Sequence, residues 1–493
     1  MSDKVSAPAA ASRAGLIEVR SIDWVPEQER TAKLWHQAPL WFLGNFQYFS
    51  ISLGFIGPFM GLSLLWTAVA SIIGISIGTL FMAFHASQGP QMGLPQMVQS
   101  RAQFGFRGVI VPLIGTLFTY IAFNVADTVL LGQGLQGAFG WDPLAVTIIV
   151  TVGAALLAIF GHDWLHQAFR IILYVALPIM AVVTVGIMIG AASANAAPME
   201  GLGFVWVGFI AQVTACAAYN ITYAPYVSDY SRYLPSTTKP RAVITSVFFG
   251  ASTSAIWLII IGAWLAITLG VTDGLAGIQM AGNAIFLPLG NAAAFLMALA
   301  LAATMGMNAY GGMLTVVTMI HSFSPVKLGR RIRVIVIIAL AAVWFLISSL
   351  IDQNAIGVVF SALTLMLYVL VPWTSVNLVD YFWVRKGHYA IADLFTAKGV
   401  YGKWGARGLI AFAIGFAAEI PFMLVPPIFD WNFTGPVATA LGGIDIAWAV
   451  GLAVSAVAYL LLTRNLDKAA EETAIAASAV TLTTATFASS EDE

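Results

Sequence analysis

Charge is scarce in this chain. Of its 493 residues, 9% are Asp, Glu, Lys or Arg and 59% are hydrophobic, whereas an ordinary soluble domain carries roughly 25% charged residues. So few charges cannot clothe a water-soluble globule of this length, and a soluble fold is excluded. The 22 basic and 23 acidic residues nearly cancel. No basic stripe is present that could neutralise a phosphate backbone, which excludes nucleic acid as the partner. Cysteine is almost missing. The single thiol, Cys216, lies in an apolar run, so neither an intrachain disulfide nor a thiolate metal cluster can form, and the redox compartment stays open. No P-loop occurs, which argues against an ATP-driven pump. The alternating polar-in pattern of a membrane barrel is absent as well.

What the chain has in abundance is long apolar runs. A helix needs about 20 apolar residues to cross a hydrocarbon layer. Twelve runs qualify: 38–60, 63–84, 109–134, 144–161, 169–193, 203–228, 242–269, 291–320, 333–350, 355–376, 408–427 and 446–463. Within lipid the backbone must satisfy its own hydrogen bonds, so these runs are predicted helices and the fold class is an all-α polytopic membrane protein with 12 transmembrane helices.

Lysine and arginine set the orientation, because cytoplasmic loops retain them. All 22 basic residues fall in the two tails, in alternate loops or at the start of span 5. Lys4, Arg13, Arg20, Arg30 and Lys33 precede span 1, and Arg385, Lys386, Lys398, Lys403 and Arg407 follow span 10. The loops on the other side hold none. This alternation predicts both termini in the cytoplasm of a multi-pass protein of the cell membrane. Residues 1–36 are polar, with no apolar core or cleavage site, and read as a cytoplasmic tail without a removable signal. Residues 464–493, rich in Ala, Thr, Ser and Glu, read as a disordered cytoplasmic tail.

Spans 1–5 (37–193) and 6–10 (203–385) form two blocks of similar length, with two further spans at 408–463. An odd number of spans reverses orientation when it recurs, so the layout suits an inverted repeat. In such repeats the first helix of each half is broken near the midplane, where substrate and ion bind. Corresponding polar interruptions occur. Span 1 reads Gly44-Asn45-Phe46-Gln47-Tyr48, and span 6 reads Tyr219-Asn220-Ile-Thr222-Tyr223-Ala-Pro225. A single such polar residue could equally bond a neighbouring helix. Interruptions at both repeat-equivalent places point to a binding site.

Three longer stretches carry a family resemblance: Gly89-Pro-Gln-Met-Gly-Leu-Pro95-Gln-Met-Val-Gln-Ser100-Arg101-Ala-Gln-Phe104-Gly105, Ser228-Asp229-Tyr230-Ser231-Arg232-Tyr233, and Trp373-Thr-Ser-Val-Asn377-Leu-Val-Asp380-Tyr381 followed by Arg385-Lys-Gly-His-Tyr389. In this order they resemble the nucleobase:cation symporters, the permeases of cytosine and purines, uracil, thiamine and allantoin, and most of all the purine/cytosine branch. The resemblance implies the amino-acid-transporter type of five-plus-five inverted repeat and secondary transport of a small, flat nitrogen heterocycle, with no cofactor.

Family members stack the ligand on aromatics of spans 3 and 6 and hydrogen-bond it from spans 3, 6 and 8. The span 3 motif matches Ala122-Phe123-Asn124-Val125-Ala126-Asp127-Thr128-Val129, with Phe123 in place of the usual tryptophan. A phenyl ring still stacks a heterocycle, over less area. Asp127 is the most informative residue, since an acid at mid-membrane is costly and usually faces a cavity. It can accept a bond from the ligand or carry the coupling proton, and the sequence leaves both roles open. In span 6 the family position of the aromatic falls on Asn220, beside Tyr219, and Tyr219 is the favoured stacker. In span 8, Asn308 is the amide that can read donor and acceptor edges. Asn45 and Thr222, in the interruptions, complete the candidate substrate site of Asn45, Phe123, Asp127, Tyr219, Asn220, Thr222 and Asn308.

For the coupling ion the candidates are Asp127, Phe46, Ala303 and Thr304. A sodium site takes oxygens from the broken span 1 and hydroxyls from span 8. Sodium-coupled relatives commonly pair two hydroxyls where this chain has Ala303-Thr304. One ligand is missing and an acid is added at Asp127, which favours a proton over sodium. The expected activity is therefore import of a nucleobase, cytosine or a purine, with H+. A Na+-coupled hydantoin or allantoin permease is the alternative, and a polytopic membrane enzyme a remote one. The scatter of the six histidines speaks against an enzyme, and the missing repeated selectivity loop against a channel. His162 and His166 have zinc-ligand spacing without a third ligand. Glu419 reads as a structural hydrogen-bond partner, Asp229 with Arg232 as an ion pair at the cytoplasmic gate, and Gly311-Gly312 as close helix packing. The expected partners are the heterocycle and the lipid bilayer, and the chain is expected to be monomeric.

Overall fold

The computed structural model describes residues 22–192, 198–324, 330–351, 355–428 and 431–491. Basic residues Lys4, Arg13, Arg20 and Lys327 lie outside them, as do the side chains of His162 and His166. In chain order the principal helices are α1 Gln37–Asn45, α2 Tyr48–Leu53, α3 Leu64–Ala86, α4 Ile110–Phe139, α5 Pro143–Phe160, α6 His162–Met188, α7 Trp206–Ile221, α8 Val227–Ser231, α9 Pro240–Leu269, α10 Gly274–Ile285, α11 Leu289–Phe323, α12 Arg330–Leu350, α13 Ala355–Val379, α14 Ala406–Glu419, α15 Ala447–Leu462 and α16 Lys468–Glu491. Among the described residues eight helices are long and apolar enough to cross a membrane. Shorter apolar helices occupy Tyr48–Phe59, Trp206–Ile221 and Ala447–Leu462. Large apolar side chains such as Ile149, Leu346 and Val457 stand more than half exposed on the outer faces, as lipid-facing positions require.

Both interruptions read in the sequence are breaks in the helices. Between α1 and α2 the backbone leaves the helical region at Phe46 (φ −87°, ψ 67°) and becomes extended at Gln47 (φ −156°, ψ 174°). The Gln47 side chain accepts from the Phe49 N–H at 2.5 Å and so caps α2, meeting one of the orphan donors of a helix start. Between α7 and α8 the chain turns through Thr222–Tyr226, where Pro225 cannot continue the helix.

α3 packs against α7 and α9, and α4 against α11 and α13. Glycines permit the closest approach. A Cβ on Gly74 would lie 2.4 Å from the Val213 carbonyl oxygen and one on Gly78 would lie 2.3 Å from that of Ala217. Two glycines one turn apart thus seat α3 on two carbonyls one turn apart on α7. Gly311 approaches the Tyr120 ring in the same way.

Two expectations are corrected. The run 408–427 is not one helix: α14 ends at Glu419, a 3₁₀ turn Ile420–Phe422 follows, and strands Leu424–Ile428 and Trp431–Thr434 pair antiparallel. Pro421, Pro426 and Pro427 lack the N–H groups a helix needs there. The carboxy-terminal tail, expected to be disordered, contains α16. Its Ala and Glu content favours helix, and Glu471 bonds Arg385 at 2.6 Å while the Ser478 hydroxyl accepts from the Ala392 N–H at 2.8 Å.

Candidate functional site

A tight, closed pocket lies where the two broken segments meet α4 and α11, lined by Gln47, Phe49, Phe123, Asp127, Tyr219, Tyr223, Tyr226, Thr304 and Asn308. Aromatic rings form much of the wall. Phe49 stacks on Tyr219 with centroids 5.1 Å apart and planes 12° apart, and Phe123 faces Tyr223 at 6.3 Å and 28°. Tyr223 in turn meets Tyr226 edge-on at 5.2 Å.

Polar groups are held in set orientations between these rings. Gln47 Nε2 donates to the Tyr219 hydroxyl at 2.7 Å, as does Ser50 Oγ at 3.1 Å. Asn308 Nδ2 donates to Asn124 Oδ1 at 3.0 Å, and Asn308 Oδ1 accepts from the Tyr226 hydroxyl at 3.4 Å. Asn124 Nδ2 is tied to the Met305 carbonyl at 3.3 Å. Asp127 differs from all of these. It is buried, and its Oδ1 has no hydrogen-bond partner among the described residues. Buried polar atoms are nearly always paired, and an exception calls for an explanation. An N–H donor or a proton could supply one.

The cavity gathers five of the residues singled out in the sequence: Phe123, Asp127, Tyr219, Asn308 and Thr304. Asn45, Asn220 and Thr222 do not line it. Asn45 Nδ2 donates to Asn220 Oδ1 and to the Ala251 carbonyl, both at 2.9 Å, and Asn220 Nδ2 donates to Thr79 Oγ1 at 2.6 Å. These asparagines clamp α1, α3, α7 and α9 together behind the site. Thr222 Oγ1 donates to the Tyr219 carbonyl at 2.7 Å. The reason is helical geometry: each residue of α7 is turned about 100° from the last, so Tyr219 facing the cavity turns Asn220 away. Phe46 packs on Phe42 and Trp257 at 5.3 and 5.2 Å. Ala303 is buried beside the cavity without lining it, and the Thr304 hydroxyl, which does line it, donates to the Ala300 carbonyl at 3.1 Å.

Gln47 and Tyr223 stand in the interruptions read from the sequence but were not named as site residues, and Phe49 and Tyr226 were missed. Tyr219 and Tyr223 stand four apart, the spacing that puts two rings on one helix face, and that signal was available. Phe49 was not legible, because its direction depends on the break before it. Among the described residues no cluster of three or more His, Cys, Asp or Glu side chains could hold a metal ion.

A small aromatic-walled cavity at paired helix breaks, inside a bundle of apolar helices, defines a membrane transporter. The chain belongs to the family described as "Permease for cytosine/purines, uracil, thiamine, allantoin", whose model matches residues 24–451. Members of this family are permeases and not enzymes. It is similar to the Bacillus subtilis (strain 168) protein named "Putative purine-cytosine permease YxlA", with 34% identity over 91% of this chain and 96% of the relative. It is also similar to the purine-cytosine permease fcyB of Emericella nidulans, with 23% identity over 90% of this chain and 88% of the relative. In fold it is similar to Mhp1, a nucleobase-cation-symport-1 family transporter solved in a closed conformation with bromovinylhydantoin bound. There the TM-score is 0.68 at 19% identity, covering 92% of this chain and 97% of Mhp1.

Proposed function

We propose that this permease is a secondary active symporter that imports a purine or pyrimidine nucleobase, cytosine or a purine, together with a proton. One observation carries this reading: a buried carboxylate oxygen with no hydrogen-bond partner among the described residues, Asp127 Oδ1, faces a tight pocket walled by flat rings. Nucleobases offer ring N–H and exocyclic amine donors on a flat π-system, which matches an acceptor, an oriented amide at Asn308 and the Phe123 and Tyr219 rings. The same carboxyl can carry the coupling proton. Alternating access then proceeds by motion of helices around the breaks at 46–47 and 222–226, with 37–193 and 203–385 as inverted repeats, twelve spans, and both termini in the cytoplasm at the plasma membrane. The relatives named as purine-cytosine permeases support the substrate class.

A second reading rests on the bromovinylhydantoin bound by Mhp1 and on the Thr304 hydroxyl at the cavity wall: sodium-coupled uptake of a hydantoin or allantoin. Uptake of labelled cytosine, adenine, hypoxanthine, uracil, allantoin and hydantoin into cells or proteoliposomes separates the two. The proton reading expects saturable cytosine or purine uptake that rises at acid outside pH, stops with a protonophore and ignores replacement of sodium by potassium. Sodium-dependent uptake of hydantoin or allantoin alone overturns it.

Aromatic stacking gives a further expected result. Phe123→Trp preserves or tightens substrate binding, while Phe123→Ala weakens it by about 1–3 kcal/mol, as for bases stacked on aromatics. Competition of unlabelled substrate against uptake measures both. Unchanged affinity in Phe123→Ala would show that the ring only packs against Phe49 and Tyr223.

A further inference from the structure

The pair of helices that follows the second block holds an ionisable group that the central cavity does not use. On α14, Gly415 and Glu419 are four residues apart, and on α15 so are Gly451 and Ser455, so each pair shares one helix face. The two faces interlock. A Cβ added at Gly415 would stand 1.7 Å from Ser455 Oγ, and one added at Gly451 would stand 1.7 Å from Glu419 Oε1. The glycines leave room for the opposing polar groups and for little else. Glu419 and Ser455 are completely buried, and neither Glu419 oxygen nor Ser455 Oγ has a hydrogen-bond partner among the described residues. The hydrogen bond expected of Glu419 from the sequence is absent there.

Asp445, just before α15, is the opposite case. Its Oδ2 accepts from the Tyr368 hydroxyl of α13 and from the Leu424 N–H, and its Oδ1 from the Ala447 N–H at 2.9 Å. Those donors suit a carboxylate. Asp445 and Tyr368 are the titratable groups that face Glu419 from the packed elements. Others stand toward the far end. Tyr459 of α15 is bonded to Asp380. Arg407 sits in the first turn of α14, about 18 Å along the helix at 1.5 Å per residue.

A second negative charge at Glu419, with no donor, no cation and Asp445 as neighbour, would bear an uncompensated desolvation penalty and repulsion at once. A proton removes both, and it is the one cation that needs no cavity in so close a crossing. We infer that Glu419 is a proton-binding site separate from the central cavity, a neutral acid that seals α14 to α15 and, beside the Tyr368–Asp445 bond, to α13. Because α13 also packs against α4, the helix of Asp127, one helix touches both acids' carriers. Loss of the proton sets two carboxylates against each other across the α13–α14–α15 contact and loosens it.

The test is infrared difference spectroscopy on the full-length protein in lipid, titrated from neutral to alkaline pH. Glu419 is the one fully buried glutamate among the described residues. The wild type is expected to show a protonated carboxylic acid band at neutral pH that shifts when glutamate carries ¹³C in its carboxyl group, which separates it from any aspartic acid. The band disappears in Glu419→Gln. Thermal unfolding of the purified protein, with no gradient present, is expected to fall with rising pH in the wild type by more than in Glu419→Gln. A wild type without a ¹³C-sensitive neutral acid band overturns the assignment, whether or not the variant folds. A band that persists unchanged in Glu419→Gln, or equal alkaline losses in the two proteins, also overturns it.

Discussion

Saturable uptake is expected to disappear in Asp127→Ala while the protein still reaches the membrane. The change removes a pocket acceptor that has no hydrogen-bond partner among the described residues, and a buried hydrogen-bonding group left unmatched costs about 1–3 kcal/mol, or roughly 5- to 150-fold in affinity at 1.4 kcal/mol per tenfold. Asn308→Ala should follow it, because that side chain is held between Asn124 and Tyr226 and orients the opposite polar edge. Asp127→Asn separates binding from coupling. The amide keeps the shape but cannot release a proton, so exchange of substrate across the membrane is retained and accumulation against a gradient is lost. Thr304→Ala is the opposing variant, as it removes the span 8 hydroxyl at the cavity. Uptake rates, counterflow and accumulation ratios in proteoliposomes read all four. Wild-type affinity in Asp127→Ala rejects the binding role. Sodium-dependent uptake that collapses in Thr304→Ala yet tolerates Asp127→Asn replaces the proton by sodium.

What could be read before the structure was known divides along physical lines. Apolar length and the polar residues that interrupt it are local properties, so the breaks after Asn45 and after Ile221 were legible. Those breaks also explain why the first and sixth runs appear as short helices and not among the eight long ones. Side-chain direction across a break is not local. Tyr219 and Asn220 are adjacent in sequence, yet one meets the cavity and the other bonds Asn45 and Thr79. Composition misled at 464–493 because it measures the inability to bury a core of its own. α16 instead borrows one, docking through Glu471 and Ser478 on the segment after α13. Glu419 was visible as a buried acid, but its lack of a partner depends on the α14–α15 crossing, which no local pattern encodes.

That docking rests on a buried ionic centre where the largest loss of stability is expected. Asp380 lies in the π-helical turn Asp380–Val384 that ends α13, and it is fully buried. Its Oδ1 accepts from Arg385 Nη1 at 2.5 Å and from the Tyr459 hydroxyl at 2.9 Å. Its Oδ2 accepts from Gln103 Nε2 at 2.6 Å and from the Tyr389 hydroxyl at 2.9 Å. Arg385 then reaches Glu471 of α16 at 2.6 Å. Burial works against the Arg385 cation, but Asp380, Tyr459 and Glu471 outweigh it and hold the guanidinium well above its ordinary pKa. Asp380→Ala strands four donors, one of them charged, and removal of one member of a buried pair costs about 3–5 kcal/mol. Glu471→Ala removes a mostly buried partner, 12% exposed, but leaves the Asp380–Arg385 pair intact, so its cost should fall below that of Asp380→Ala, between the about 0–1 kcal/mol of a surface pair and the about 3–5 kcal/mol of a buried one. Thermal unfolding of the purified variants gives the order. Limited proteolysis adds a spatial readout, because Glu471→Ala frees α16 for cleavage while the rest of the protein stays resistant, whereas Asp380→Ala opens the carboxy-terminal ends of α13 and α15 together. Equal losses in the two variants would mean that Asp380 organises nothing beyond the tail contact.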